Sequence, residues 1–202
     1  MKASLTGRFF LLFSIMKREE NPWKILSEKK IYENPWIQLT EYSVLNPSGN
    51  PGIYGKVHFK NLAIGVIPLD ENEHIYLVGQ YRFTIGQYSW EIPEGGGLPL
   101  EDPLVSAQRE LKEETGLIAA NWEKLLELHL SNSVSDEWGV LFLATGLSQG
   151  DSEPEETEQL QIRKIPLEEA YRMVLRHEIT DSLSVAGILR LKLLLDEKKR
   201  TK

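Results

Sequence analysis

Residues 95–117 read GGGLPLEDPLVSAQRELKEETGL, and their spacing decides both the fold and the chemistry of the chain. Gly95 is followed after five residues by Glu101, and seven residues later comes the run Arg109-Glu110-Leu111-Lys112-Glu113-Glu114-Thr115-Gly116-Leu117. Asp102 and Pro103 predict a helix start, a capping side chain ahead of a proline in the first turn. Gly116 predicts the stop. Between them Leu104, Ala107 and Leu111 recur at helical spacing and are expected to face a core. Glu110, Glu113 and Glu114 stand at i, i+3 and i+4, so they share one face of that helix, where like charges cost about 0.2–0.5 kcal/mol per pair. A divalent cation removes this repulsion. Mg²⁺ favours oxygen ligands and keeps positions for water and substrate phosphates. Arg109 is expected to pair with the carboxylates around it and to fix their rotamers.

The run resembles the Nudix box, G-x5-E-x7-R-E-U-x-E-E-x-G-U with U aliphatic, and fills every defined position. Further segments resemble the ADP-ribose pyrophosphatase, or nucleoside diphosphate sugar hydrolase, branch of that family. These are Val78-Gly79-Gln80-Tyr81-Arg82, Glu91-Ile92-Pro93-Glu94-Gly95, Ser135-Asp136-Glu137 and His177-Glu178-Ile179-Thr180-Asp181-Ser182. The likeness runs from about Trp23 to Leu195. It implies an α/β fold, an α/β/α sandwich around a mixed sheet preceded by an antiparallel β portion. The implied organisation is a leader over 1–20, a β-rich dimerisation portion over 21–60 and a Nudix hydrolase domain over 61–202. It also implies a Mg²⁺-dependent pyrophosphatase, with Mn²⁺ as a possible substitute, that cleaves nucleoside diphosphate sugars to a nucleoside monophosphate and a sugar phosphate. One departure bears on the substrate: Ser131-Asn132-Ser133 stands where members acting on ADP-ribose commonly carry a proline. That leaves room for a related sugar nucleotide such as GDP-mannose or UDP-glucose beside ADP-ribose.

The reaction so implied is attack by water on a pyrophosphate phosphorus, which needs cations to neutralise shielding oxygens and a base to activate the water. The resemblance carries over a metal set of Glu110, Glu113 and Glu114, the backbone carbonyl of Glu94, and Glu158 as an auxiliary ligand. It places the base in the acidic loop 151–158, at Glu156, with Glu113 or Glu110 of the box next in line and Arg109 acting beside them. Arg82 is expected to contact the phosphates or sugar, since arginine suits bidentate contacts of this kind. Trp36 and Trp23 are candidates to stack on a base. His58, His74, His129 and His177 show no ligand spacing and read as structural. Gly95-Gly96-Gly97 is followed by neither a dinucleotide fingerprint nor a P-loop lysine. Two alternatives stay open: a Nudix hydrolase of another class, acting on a dinucleoside polyphosphate, a coenzyme or a damaged nucleotide, and a non-catalytic nucleotide-binding module. The second would be expected to have lost box carboxylates, and none is lost here.

The remaining composition fits. The 202 residues are 41% apolar and 26% charged, as in one globular domain with a small appendage. A net charge of −7 argues against general binding to nucleic acid or to an anionic membrane. There is no cysteine, which excludes disulfides and thiolate metal sites and fits a cytoplasmic location. The apolar run Phe9-Phe10-Leu11-Leu12-Phe13 follows Lys2 and Arg8 but precedes no small-x-small cleavage site, and Met16-Lys17-Arg18 reads as an alternative natural start. Strands are expected at 30–32, 36–39, 42–45, 54–59, 122–130, 140–144 and 159–165, with a hairpin of 62–69 and 74–81 around Asp70-Glu71-Asn72-Glu73. Two further helices are expected over 166–176 and 181–199, the latter capped by Asp181.

Overall fold

A computed structural model describes residues 20–150 and 160–201; residues 1–19, expected as a leader, and 151–159, where the acidic loop with Glu156 and Glu158 is expected, lie outside the described residues. Three antiparallel strands come first: β1 (Lys24–Glu33), β2 (Ile37–Leu45) and β3 (Pro51–Phe59), in the order β1-β2-β3. The segments expected at 36–39 and 42–45 are one continuous strand, whose pairing with β3 runs without interruption from Ile37↔Phe59 to Leu45↔Pro51. The turn between them is closed by Asn46, whose side-chain oxygen accepts from the backbone N–H groups of Ser48 and Asn50, both at 3.0 Å.

The body holds β4 (Leu62–Pro68), β5 (His74–Arg82), β6 (Gln87–Glu91), β7 (Glu94–Gly97), helix α1 (Pro103–Thr115), β8 (Leu117–His129), β9 (Trp138–Gln149), β10 (Gln161–Pro166), α2 (Leu167–Leu175) and α3 (Ser182–Arg200). A mixed sheet of order β7-β4-β9-β8 lies at its centre, with β4 and β9 parallel, and β10-β5-β6 form a second, antiparallel sheet. Successive side chains of a strand point to opposite faces, and the two cores follow that rule. Ile64, Val66, Val140, Phe142 and Ala144 pack with Ala107 and Leu111 of α1. Ile67, Leu141 and Leu143 pack on the other face with Ala170 and Met173 of α2 and with Leu183, Ile188 and Leu191 of α3. The result is the expected α/β/α sandwich.

The hairpin expected from 62–69 and 74–81 is not formed as such. Asp70 closes the expected turn, accepting from the N–H groups of Asn72 and His74 at 2.9 and 2.8 Å. Pairing between the two strands ends at the single bridge Leu69↔Ile75. A strand has two edges, and β4 gives one to β7 and the other to β9, so β5 pairs instead with β6 and β10. The short strands β6 and β7 have no counterpart in the sequence expectations.

The N-terminal sheet is fastened to the β8–β9 loop. Val57 N–H donates to Val134 O at 2.9 Å, and the Tyr54 hydroxyl to Ser133 O at 2.8 Å. Asp136 gathers the rest: one carboxylate oxygen accepts from Phe59 N–H at 3.0 Å, and the other meets Lys56 Nζ and His58 Nδ1, each at 2.8 Å. Burial alone would raise the Asp136 carboxyl, but Lys56, His58 and the Phe59 N–H outweigh it and hold it at about 2. A carboxyl depressed below its unfolded value of ~3.9 contributes stability that is present above that pH and lost as pH falls toward the folded value. Asp136→Asn should therefore lower Tm at pH 7 by roughly 2–4 °C, the shift that ~1 kcal/mol makes in a domain of this size. The gap to the parent protein should close between about pH 4 and about pH 2. Thermal unfolding followed across that range checks it; a gap that stays constant with pH would contradict the assignment.

Candidate active site

Helix α1 begins and ends where its residues require. The Asp102 carboxylate accepts from Leu104 N–H at 3.0 Å, and Gly116 takes the left-handed conformation, φ 70°, that a side chain would resist. The Ser106 hydroxyl donates to Glu101 at 2.6 Å, holding that carboxylate over the first turn. Leu111 and Ala107 turn one face of the helix into the core. This leaves Glu110, Glu113 and Glu114 directed toward β7.

Two of these carboxylates are deeply placed, Glu110 at 8% and Glu114 at 3% exposure. Buried carboxylates need partners, and the chain before the helix and Arg109 within it supply them. The Glu94 N–H donates to Glu114 Oε2 at 3.0 Å. Arg109 donates from Nη1 to Glu113 Oε2 at 2.7 Å and from Nη2 to Gly96 O at 2.8 Å, and Nη2 also lies 2.7 Å from Glu110 Oε1. Gly95 explains how helix and strand come so close. A Cβ at that position would lie 2.2 Å from the Glu110 carboxyl carbon, so only glycine leaves the carboxylate its space.

A second acidic group stands on the other side of the same turn. Oxygens of Glu91, Glu94 and Asp181 all lie within 4.8 Å of one another. Glu91, only 3% exposed, is held by Arg82, whose Nε reaches both its carboxylate oxygens at 3.1 and 2.9 Å and whose Nη2 makes a further close ion pair. Asp181 caps α3 by accepting from Ser184 N–H at 2.8 Å. Burial, then the charges of Asp181 and Glu91, push the Glu94 carboxyl well above the usual carboxylate range, with Arg82 opposing. Burial and the Asp181 charge also raise Glu137. These donors are all hard oxygen, partly preformed and partly buried, and their chemistry fits a divalent cation of the magnesium class.

The expected site residues are thus distributed in four ways. Glu94, Glu110, Glu113, Glu114 and Arg109 come together between α1 and β7. Arg82, expected on substrate phosphates, is bound to Glu91 at the edge of the same turn. Trp36 lies in the β1–β2 turn with its side chain 65% exposed, while Trp23 packs edge-on against Tyr54, ring centroids 5.3 Å apart. Glu156 and Glu158 lie outside the described residues. From the sequence Glu94 is expected to offer only its backbone carbonyl and Asp181 only a helix cap, while Glu91 and Ser184 carry no expected role; the signal for Glu91 and Asp181 is their place in the two flanking motifs, and Ser184 lies beyond them. His58 bonds Asp136, and His129 packs edge-on against Trp138 at 4.5 Å, both structural arrangements.

With this geometry in view, the comparisons with known proteins agree with one another. The NUDIX domain model matches residues 59–184, and the model of the nucleoside diphosphate sugar hydrolase N-terminal domain matches residues 23–57. An ADP-ribose pyrophosphatase of Mycobacterium tuberculosis (strain ATCC 25618 / H37Rv) is 34% identical over 174 residues, covering 84% of this chain and 83% of its own length. A methanol dehydrogenase activator of Bacillus methanolicus is 30% identical over 172 residues, covering 84% of this chain and 92% of its own. The crystal structure of an ADP compounds hydrolase shares the fold, with a TM-score of 0.81 over 91% of this chain and 99% of that one at 20% identity. A complete box, its carboxylates folded against Gly95 and matches on both sides of residue 58 lead to one conclusion: the chain belongs to the Nudix family, in its ADP-ribose pyrophosphatase branch, and is a hydrolase of pyrophosphate bonds in nucleoside diphosphate derivatives.

Proposed function

We propose that the protein is a Mg²⁺-dependent pyrophosphatase of nucleoside diphosphate sugars, with ADP-ribose or a related sugar nucleotide as substrate and a nucleoside monophosphate and a sugar phosphate as products. The observation that carries this is the pair of buried carboxylates, Glu110 and Glu114, held against the Glu94–Gly96 backbone. Glu110, Glu113, Glu114 and the Glu94 carbonyl would hold the cation, with Mn²⁺ as a substitute and Glu158 as an auxiliary ligand. Bound there, the cation would neutralise the pyrophosphate oxygens. Arg109 keeps the carboxylates apart and aimed. Glu156 takes the proton from the attacking water, and Glu113 is the next candidate.

The substrate reading has its own support. A cavity of about 370 Å³ opens between the N-terminal sheet and the β8–β9 loop, with Trp23, Tyr42, Tyr54, Lys56, Asn132 and Ser133 on its walls. Its volume suits a nucleoside-sized ligand, and its aromatic walls suit a base. Trp23 is accordingly the preferred stacking residue. Trp36, exposed in the β1–β2 turn, stays a candidate beside it. Asn132 and Ser133 belong to the segment that departs from the ADP-ribose pattern, and this favours a pocket that also accepts sugars or bases other than those of ADP-ribose. The exposed side chains of Ile25, Leu26, Ile31, Tyr32, Trp36 and Ile53 on the N-terminal sheet support a homodimer built through that sheet. No helix among the described residues is long and apolar enough to cross a membrane, and a cytoplasmic site of action is part of the proposal.

The decisive experiment is a panel of nucleoside diphosphate sugars, dinucleoside polyphosphates and coenzymes, with products separated directly and each reaction run with and without Mg²⁺. Release of nucleoside monophosphate and sugar phosphate, only with a divalent cation present, is expected. Turnover confined to dinucleoside polyphosphates would overturn the substrate class. On the best substrate, Glu156→Gln should lower kcat by ~10²–10⁴-fold with KM little changed, as for loss of a positioned base. If kcat stays within twofold there and at each other glutamate from Glu153 to Glu158, the base belongs to the box helix. Sedimentation equilibrium should show a dimer at micromolar concentration, and a fully active monomer would remove the N-terminal sheet from the assembly.

A further inference from the structure

We infer that Ser184, in the first turn of α3, is a positioning residue for the cation site, acting through the turn that joins β6 to β7. The inference rests on the cation reading above and extends it to a part of the chain that carries no box residue.

Beside Leu183, the buried face of α3 is made by Ser184, Gly187, Ile188 and Leu191, at i, i+3, i+4 and i+7, the stripe that a helix lays on a sheet. Three of the four are the residues such a stripe is made of. Ser184 is the exception, a hydroxyl with 0% exposure in an apolar contact. A buried hydroxyl must be paired, and its partners both lie in one turn. It accepts from Ile92 N–H at 2.9 Å and faces Glu94 Oε1 at 3.4 Å as a donor. Gly187, one turn further on, lets the helix sit close enough for this: a Cβ there would meet Ile67 Cδ1 at 2.8 Å.

The turn that Ser184 grips is the one that carries the site. Its Glu94 N–H holds Glu114, its Glu94 carbonyl is the proposed fourth ligand, and Gly95 beneath Glu110 follows directly. Other bonds restrain the same four residues from their remaining sides: Val66 N–H donates to Pro93 O at 2.8 Å, and Arg82 holds Glu91. Without Ser184 the α3 side of the turn has no hydrogen bond to Ile92, and a buried N–H loses its partner. The peptide planes from Ile92 to Glu94 would then lose their restraint on the α3 side, leaving the Glu94 carbonyl and the N–H that orients Glu114 less tightly placed. Ligand-orienting partners of this kind are worth ~10–100-fold in metal affinity.

Three variants separate the hydroxyl from the volume. Ser184→Ala removes the hydroxyl, Ser184→Cys keeps the size with a much weaker donor and acceptor, and Ser184→Thr keeps the hydroxyl. Mn²⁺ binding is measured by electron paramagnetic resonance without substrate, beside Glu114→Gln and thermal unfolding of each protein. Mn²⁺ affinity should fall about tenfold in the Ala and Cys variants, at the lower end of that range, and stay within threefold of the parent in Thr. With the cation saturating, KM for the sugar nucleotide should be unchanged. The Ser184 assignment is overturned if Ala and Cys bind Mn²⁺ like the parent, or if Thr loses as much affinity as Ala. If Glu114→Gln also binds like the parent, the cation reading itself fails; if only Glu114→Gln loses Mn²⁺, that reading stands and Ser184 has no part in it.

Discussion

The absence of a side chain at position 95 is the constraint on which the site depends. The Glu110 carboxylate occupies the volume where a Cβ would begin, 2.2 Å from its carbon. An alanine Cβ would displace the Glu110 carboxylate, the far end of a flexible side chain, from the position in which Arg109 holds it. The bond from Glu94 N–H to Glu114 and the contact of Arg109 with Gly96 O span the same gap between helix and strand. Helix, strand and carboxylates are therefore one unit. The packing of Ala107 and Leu111 on the mixed sheet stabilises it from below.

Burial would make such a concentration of negative charge unstable without compensation. The structure divides the compensation by side. Arg109 serves the box, bridging Glu110, Glu113 and a backbone carbonyl. Arg82 serves the opposite wall through Glu91. Glu94 lies between the two groups, its N–H committed to one and its carboxyl to the other, which is raised by burial and by Asp181 and Glu91. One residue thus couples the box helix to the start of α3, two elements some seventy residues apart in the chain.

Much of this was legible before any coordinates, and the reasons are local. Asp102, Pro103 and Gly116 bound α1 because capping is read from a few adjacent residues, and Asp181 caps α3 for the same reason. The box face was legible because helical spacing is a fixed geometry. Strand partnership was not. The segments 62–69 and 74–81 have the pattern of a hairpin, yet β4 gives its two edges to β7 and to β9, both later in the chain, and none is left for β5. β7 was invisible because Glu94-Gly95-Gly96-Gly97 carries no strand propensity; it is a strand by virtue of its partner β4. Ser184 was missed because a serine in a helical stripe looks like a neutral surface residue until its two partners, about ninety residues earlier, are folded against it. The pairing of Arg82 with Glu91 was not legible because nothing in a linear motif shows that Glu91, on the neighbouring strand, lies within reach of it.

The central claim is that the cation lies on the α1 side of the Glu91–Gly96 turn rather than within the acidic group on the other side. Anomalous diffraction from crystals soaked in Mn²⁺ tests this most directly. The strongest peak is expected beside the Glu110 and Glu114 carboxylates and the Glu94 carbonyl. A peak held only by the side chains of Glu91, Glu94 and Asp181, with nothing beside Glu110 or Glu114, would contradict it.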